Sequence, residues 1–274
     1  MDKIKEEIFE GLFIKAVHEP AYRPEFLQQL LASNVYCVGT TGSQEPQAVV
    51  VERILEGGSS IQLKSWEDDE YTSLIPFFTS LEKMRVVIPE NESFICLPAK
   101  ALFEMTLGSR LVLNPQSPDA TKDFIPDEID YLLKGEFSEL PGSYVIEEDT
   151  EVLIGQPADY PKFMVEQLNI LLGTEPYVKA AYLAQILNRA HDDEPTLLIG
   201  LDLDDGLLSE QVQDLHSKIT HVAYESMHNQ CSVDLIHMHQ NEQEGVVVYL
   251  RNETQSFYER GHGKKKSFFA RFFS

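Results

Sequence analysis

A chain of 274 residues with 43% apolar and 24% charged side chains can bury one large core or two ordinary ones, which excludes extended disorder. The formal charge of −23 excludes nucleic acid as the main partner, because so acidic a surface repels phosphate. No stretch reaches the roughly 18 consecutive apolar residues of a membrane span. The opening Met1-Asp2-Lys3-Ile4-Lys5-Glu6 also lacks the basic-then-apolar order of a secretory leader. Three widely separated cysteines, Cys37, Cys96 and Cys231, fit a reducing compartment without structural disulfides, so a cytoplasmic location is expected.

The first half begins with apolar residues at helical spacing, Ile4, Ile8, Phe9, Leu12, Phe13 and Ala16, which predict an amphipathic helix broken at Glu19-Pro20. Pro24 opens a second helix through Phe26, Leu27, Leu30 and Leu31. Val35–Val38 reads as a strand and Gly39–Pro46 as a loop. Strands at Ala48–Ile54 and Ile61–Trp66 follow, joined across Glu56-Gly57-Gly58, and then an acidic loop at Glu67–Glu70. Leu74–Phe78 has strand length but contains Pro76, which lacks a ladder donor, so the strand is expected at a sheet edge or ending in a bulge. Thr79 and Glu82 have the spacing of a capping box, which predicts a helix from about Ser80. A strand at Ser93–Leu97, a helix opened by Pro98 and stopped by Gly108, and a strand at Leu111–Leu113 follow. Asn114-Pro115 begins a turn-rich loop, and Pro126-Asp127-Glu128 starts a helix ended by Gly135.

Pro141-Gly142 and nearby acids place a linker between about 140 and 158, giving expected domains at 1–145 and 155–274. The second half reads as a helix from about Asp159 closed by Gly173, strands at Tyr177–Asn188 and Thr196–Asp202, and a helix over Ser209–Glu225. Two further strands are expected at Ser232–Met238 and Gly245–Leu250. The expected class is α+β: two mixed α/β domains, each a small mixed sheet with helices packed on it.

Four stretches resemble the enhanced serine sensitivity (SseB) family of bacterial cytoplasmic proteins. They are Glu19–Phe26, Ser73–Met84, Leu102-Phe103-Glu104-Met105-Thr106-Leu107-Gly108 and Phe257-Tyr258-Glu259-Arg260. The first three fall in the N-terminal half; the C-terminal half matches mainly in its pattern of elements. The tail departs from the family, because Lys264-Lys265-Lys266 precedes its aromatics. The resemblance implies a two-domain mixed α/β protein connected with tolerance of serine, and it carries over no catalytic residue and no cofactor.

The residues themselves name no reaction. On a strand, His237 and His239 share a face while Asp234 points away. Without a third ligand at fixed spacing, they read as half-exposed histidines rather than a metal site. Asp202, Asp204, Asp205 and Gly206 follow an apolar strand. They could hold Mg²⁺ or act as an acid/base pair, but Asp-Asp-Gly is also turn chemistry, which is the preferred reading. Gly39-Thr40-Thr41-Gly42-Ser43 lacks both phosphate-binding fingerprints. Cys37 lies in an apolar strand and reads as a buried, inert thiol.

The aromatic set is more suggestive. Trp66, Pro76, Phe77, Phe78 and Phe103, with Thr79, Ser80 and Glu104, have the composition of an apolar pocket or interface hot spot, although Phe77 and Phe103 read equally as core. The tail from Arg251 carries six Lys/Arg against two Asp/Glu, or +4, which leaves −27 for the residues before it. Phe268, Phe269, Phe272 and Phe273 line one side of a short basic helix that would dock on acidic protein or on anionic membrane. The charge of the body favours protein. The expected role is a non-enzymatic interaction or regulatory protein that binds a protein partner or itself through the N-terminal domain. The alternative is a sensor or enzyme for an amino-acid or sulfur metabolite, with a small-molecule site between the domains.

Overall fold

A computed structural model describes residues 3–41, 60–68, 72–135, 152–188, 194–227, 232–238 and 245–261. The chain divides into two compact units, residues 1–137 and 138–274. Each holds one mixed sheet with helices against it, so the fold is α+β with two domains.

The N-terminal unit opens with α1 (Lys3–His18), a single 3-10 turn at Pro20–Tyr22 and α2 (Arg23–Leu31). Phe9 and Phe13 of α1 stack on Phe26 of α2, with ring centroids 5.6 and 4.6 Å apart. Arg23 Nε donates to the Ala16 carbonyl at 3.0 Å across the turn. The strands are β1 (Asn34–Thr41), β2 (Ile61–Leu63), β3 (Trp66–Glu67), β4 (Ser73–Phe78), β5 (Phe94–Pro98), β6 (Leu111–Leu113) and β7 (Lys122–Phe124). They pair in the order β2-β1-β4-β6-β7, with β3 on β4 and β5 on β1. Helices α3 (Leu81–Val87), α4 (Ala99–Met105) and α5 (Pro126–Lys134) complete the unit, and Gly135 ends α5 in the left-handed conformation at φ 80°.

Several expectations change here. Gly39–Thr41 belongs to β1, so the loop begins later than its glycine suggested, and Ile61–Trp66 is two short strands. β4 lies inside the sheet despite Pro76. The Ile75 amide donates to the Arg110 carbonyl and the Phe77 carbonyl accepts from the Asn114 amide, so both residues turn their backbone towards β6. Alternation turns the Pro76 backbone the other way. There β4 meets β1 only at Phe77 and Phe78 and β3 only at Ser73 and Leu74, so the missing donor falls where the strand changes partners. β7 was missed because its three residues, Lys122-Asp123-Phe124, contain only one apolar side chain. The expected strand at Ala48–Ile54 and most of the linker lie outside the described residues.

The C-terminal unit runs β8 (Val152–Gly155), α6 (Lys162–Leu172), β9 (Val178–Asn188), β10 (Thr196–Leu203), α7 (Ser209–Ser226), β11 (Val233–His237), α8 (Val246–Glu253) and β12 (Ser256–Glu259). The sheet order is β11-β10-β9-β12. β8 also pairs with β9, at Gln185–Asn188, beyond the Ala180–Tyr182 segment that β12 occupies. α6 and α7 cover one face, where Leu168, Leu215, Ile219, Ile199 and Leu201 form the core. α8 covers the other, with Val247 and Leu250 against Ala184, Leu198 and Met238.

α8 is a correction. Val246-Val247-Val248 favours extended chain, and Gly245–Leu250 was expected as a strand. In the structure the segment is helical, burying Val247 and Leu250 three residues apart against the apolar face. Gly200 lets the helix approach: a Cβ there would lie 2.6 Å from Leu250 Cδ1 and 2.9 Å from Met238 Sδ. Gly200→Ala is therefore expected to lower the stability of this unit by about 1–3 kcal/mol through overpacking. Urea unfolding of the variant checks this, and an unchanged midpoint would show that the α8 contact yields freely.

Candidate functional site: the carboxyl ends of strands β4 and β6

β4 and β6 run parallel, with Phe77 opposite Leu113, so both chains leave the sheet at the same end. Crevices at the carboxyl ends of parallel strands are where open α/β sheets place ligands. Here the space is occupied by side chains of the protein itself. Asn114, at φ 48°, turns the chain in the left-handed region that asparagine tolerates better than most residues. Its amide donates to the Phe77 carbonyl at 2.8 Å, and its carbonyl accepts from the Ser117 amide at 3.1 Å and the Thr121 hydroxyl at 2.7 Å. Its Oδ1 accepts from the Thr79 amide at 3.0 Å and its Nδ2 donates to Thr79 Oγ1 at 2.9 Å. The Thr79 hydroxyl in turn donates to Glu10 of α1. Ser80 caps α3 by accepting from the Lys83 amide at 3.1 Å, and Lys83 Nζ pairs with Asp119 at 2.5 Å.

Three elements thus meet in one polar cluster. Burial raises the Glu10 carboxyl above its ordinary value, against the smaller opposing effects of the Thr79 hydroxyl and the Lys83 ammonium. The hydroxyl of Thr79 is engaged at both oxygen lone pair and proton, so the cluster ties α1 to the strand ends. The capping box expected from Thr79 and Glu82 does not form: Ser80 is the cap, which puts Lys83 rather than an acid at the third helical position, and Thr79 serves Asn114 and Glu10.

The residues expected to bind do not form one surface. Phe77 and Phe103 are fully buried on the α1–α2 side, edge to face at 5.8 Å, with Phe124 against both. Phe78 is fully buried on the opposite side of the sheet with Val38, Met84 and Ile88, where half-buried Trp66 packs. Adjacent strand residues point to opposite faces, which separates Phe77 from Phe78. Pro76, Thr79 and Ser80 are also buried, and Glu104 alone of the set is exposed. Glu10 and Asn114 were missed, since nothing local links them to Thr79, 69 and 35 residues away in sequence.

Elsewhere, Asp204 takes a bidentate pair from Arg260, at 2.6 and 2.9 Å, and Lys179 Nζ lies 3.6 Å from Asp202. Gly206 turns the chain at φ 80°. Burial pushes the Cys37 thiol up to about 12. Cys37 sits opposite Ile95 while Cys96 sits opposite Tyr36, so the two thiols point to opposite faces and cannot pair. His237 meets a residue from α7: its Nε2 lies 2.7 Å from Nε2 of His216, with the rings crossed at 71°. Burial, and then the neighbouring His237, hold His216 down to about 4. His239, Cys231 and the part of the basic tail from His262 onward lie outside the described residues. Among the described residues no three His, Cys, Asp or Glu side chains gather as metal ligands, and no helix is long and apolar enough to cross a membrane.

The SseB protein N-terminal domain model matches residues 13–130, and the SseB protein C-terminal domain model matches residues 146–260. Protein SseB of Escherichia coli (strain K12) is 34% identical over 263 residues, which cover 96% of this chain and 95% of the relative. Protein SseB of Shigella flexneri matches to the same extent. The chain belongs to the SseB family. No solved structure matches it.

The four SseB-like stretches are largely architectural. Glu19–Phe26 makes the α1–α2 turn that Arg23 closes, and Ser73–Met84 carries β4 and the α3 cap. Arg260, at the end of the fourth stretch, fastens β12 to Asp204 and to the Pro176 carbonyl. In Leu102–Gly108, Leu102, Phe103 and Thr106 are buried, whereas Met105 and Leu107 are 51% and 54% exposed.

Two outcomes follow from the electrostatics. A carboxyl raised on folding contributes stability below its unfolded value and loses it as pH rises through the folded one. Glu10→Gln, which keeps the acceptor for Thr79, should therefore equal or exceed the wild type at pH 7. Glu10→Ala should lose about 0.5–1.5 kcal/mol, the net worth of one hydrogen bond, because it leaves the Thr79 hydroxyl only the longer 3.2 Å contact with Asn114 Oδ1. Denaturant melts of both variants at pH 5 and 7 check the pair. The sign for His216 is opposite in sense: a histidine lowered on folding leaves the unfolded chain binding more protons between about 6.5 and 4. The C-terminal unit should lose stability as pH falls through that window. His216→Gln should flatten the dependence, as followed by thermal melts across the range.

Proposed function

We propose that this SseB-family chain is a non-enzymatic cytoplasmic interaction protein, linked to serine tolerance, that binds a protein partner or a second copy of itself through its N-terminal unit. One observation carries the reading. The family-like stretch Leu102–Gly108 anchors itself with Leu102 and Phe103 yet leaves Met105 and Leu107 on the surface beside exposed Glu104. Ile125, 54% exposed, precedes α5, which packs against α4. Exposed apolar side chains on adjoining elements, with an acid beside them, suit a modest protein interface, and methionine adapts readily to a partner surface. The polar cluster at the strand ends supports a non-catalytic role, because Thr79, Asn114 and Glu10 satisfy one another.

The buried aromatics are then supports for the surface, and Glu104, Met105 and Leu107 are its contact residues. The double variant Met105→Glu/Leu107→Glu should change stability by less than about 0.5 kcal/mol per site, since both positions are exposed. It should nevertheless abolish self-association or the set of proteins that co-purify with the wild type, followed by sedimentation and affinity purification. An unchanged set and sedimentation profile, or serine binding by the wild type in equilibrium dialysis, would overturn the reading.

A further inference from the structure

We propose that His216 and His237 form a binding site for a divalent late transition-metal ion, which joins α7 to the outer strand of the C-terminal sheet. The two rings come from different elements and bring the same atom of each together, with Nε2 to Nε2 at 2.7 Å and ring centroids 4.7 Å apart at 71°. Imidazole is the ligand that copper, nickel and zinc share.

Both rings stand on rigid supports. α7 is 18 residues long and buries Leu215, Ile219, Val222 and Ala223. β11 is in register with β10 over five residue pairs ending at His237. Val233 and Leu235 pack into the same core as α7, so alternation turns His237 towards that helix. Neither ring is closed off from solvent, since both residues are half-buried.

The spacing selects among ions. Metal–nitrogen bonds of about 2.0 Å at a right angle place cis nitrogens about 2.8 Å apart, as in the tetragonal coordination of Cu(II) or Ni(II). A tetrahedral zinc site spreads them to about 3.3 Å. The observed 2.7 Å lies closer to the tetragonal spacing, and because ring centroids 4.7 Å apart set the two nitrogens nearly end to end, both rings must rotate to admit either ion. Water completes the coordination, because among the described residues no third His, Cys, Asp or Glu joins the pair. Without metal the same geometry is a hydrogen bond from one neutral ring to the other, so ion and proton compete for one position.

The test uses the full chain with copper(II), nickel(II) or zinc chloride as the probe. Isothermal titration should show binding in the order copper, nickel, zinc, and bound copper should give an electron paramagnetic resonance spectrum with coupling to two nitrogens. Saturating metal should raise the thermal midpoint of the wild type and leave that of His237→Gln unmoved. His216→Gln and His237→Gln should each lose the two-nitrogen spectrum. Should either variant misfold, paramagnetic broadening of the His216 and His237 ring resonances by copper in the wild type decides the matter. Absence of that broadening, or a two-nitrogen spectrum that survives both substitutions, would overturn the proposal.

Discussion

Asn114 uses every hydrogen-bonding group it has to hold the end of β6 against the end of β4, and the N-terminal unit is arranged around that clasp. The parallel pair delivers Phe77 and Leu113 into the main core. A chain leaving such a pair must turn away at once while satisfying its backbone. Asparagine does this by entering the left-handed region and offering its side-chain amide to the neighbouring strand. Thr79 passes the connection on to Glu10, so the first helix is fixed to the strand ends by a hydrogen bond and to α2 by the stacked Phe9, Phe13 and Phe26.

Burial of Glu10 in that cluster has an electrostatic cost, visible as the upward displacement of its carboxyl. Half-satisfied polar clusters are less stable than apolar packing, whereas complete ones fix a unique arrangement. The Asn114–Thr79–Glu10 chain is of the complete kind. It holds a neighbouring surface in place, and the exposed half of Leu102–Gly108 can present Met105 and Leu107 because the other half is seated in the core.

The C-terminal unit solves a different problem with a missing side chain. Gly200 opens a place on the sheet where Leu250 and Met238 enter, which allows α8 to cover the second face. With α6 and α7 on the first face, the strands are buried on both sides, as the run of buried residues in β10 records. The His216–His237 pair lies where the helix layer meets the last strand in the order, and it is the point in this unit where two titratable rings share one position.

Much of this was legible in the sequence, because local chemistry decides it. Helical spacing gave α1, α2 and α7, proline and glycine marked both ends of α5, and apolar runs of strand length placed β9, β10 and β11. The sequence by itself also determined the two-domain α+β class and the family, since four short stretches keep their composition wherever they pack. Tertiary structure alone decided the rest. Pro76 is tolerated inside a sheet because β4 changes partners there, and Val246–Leu250 is helical because a sheet face needed covering. Phe77 and Phe78 part to opposite faces, while Thr79 finds Glu10 and Asn114, and His237 finds His216, across distances in sequence that no spacing rule spans. Periodicity reports which face of its own element a residue occupies; what lies opposite that face is set only when the layers close.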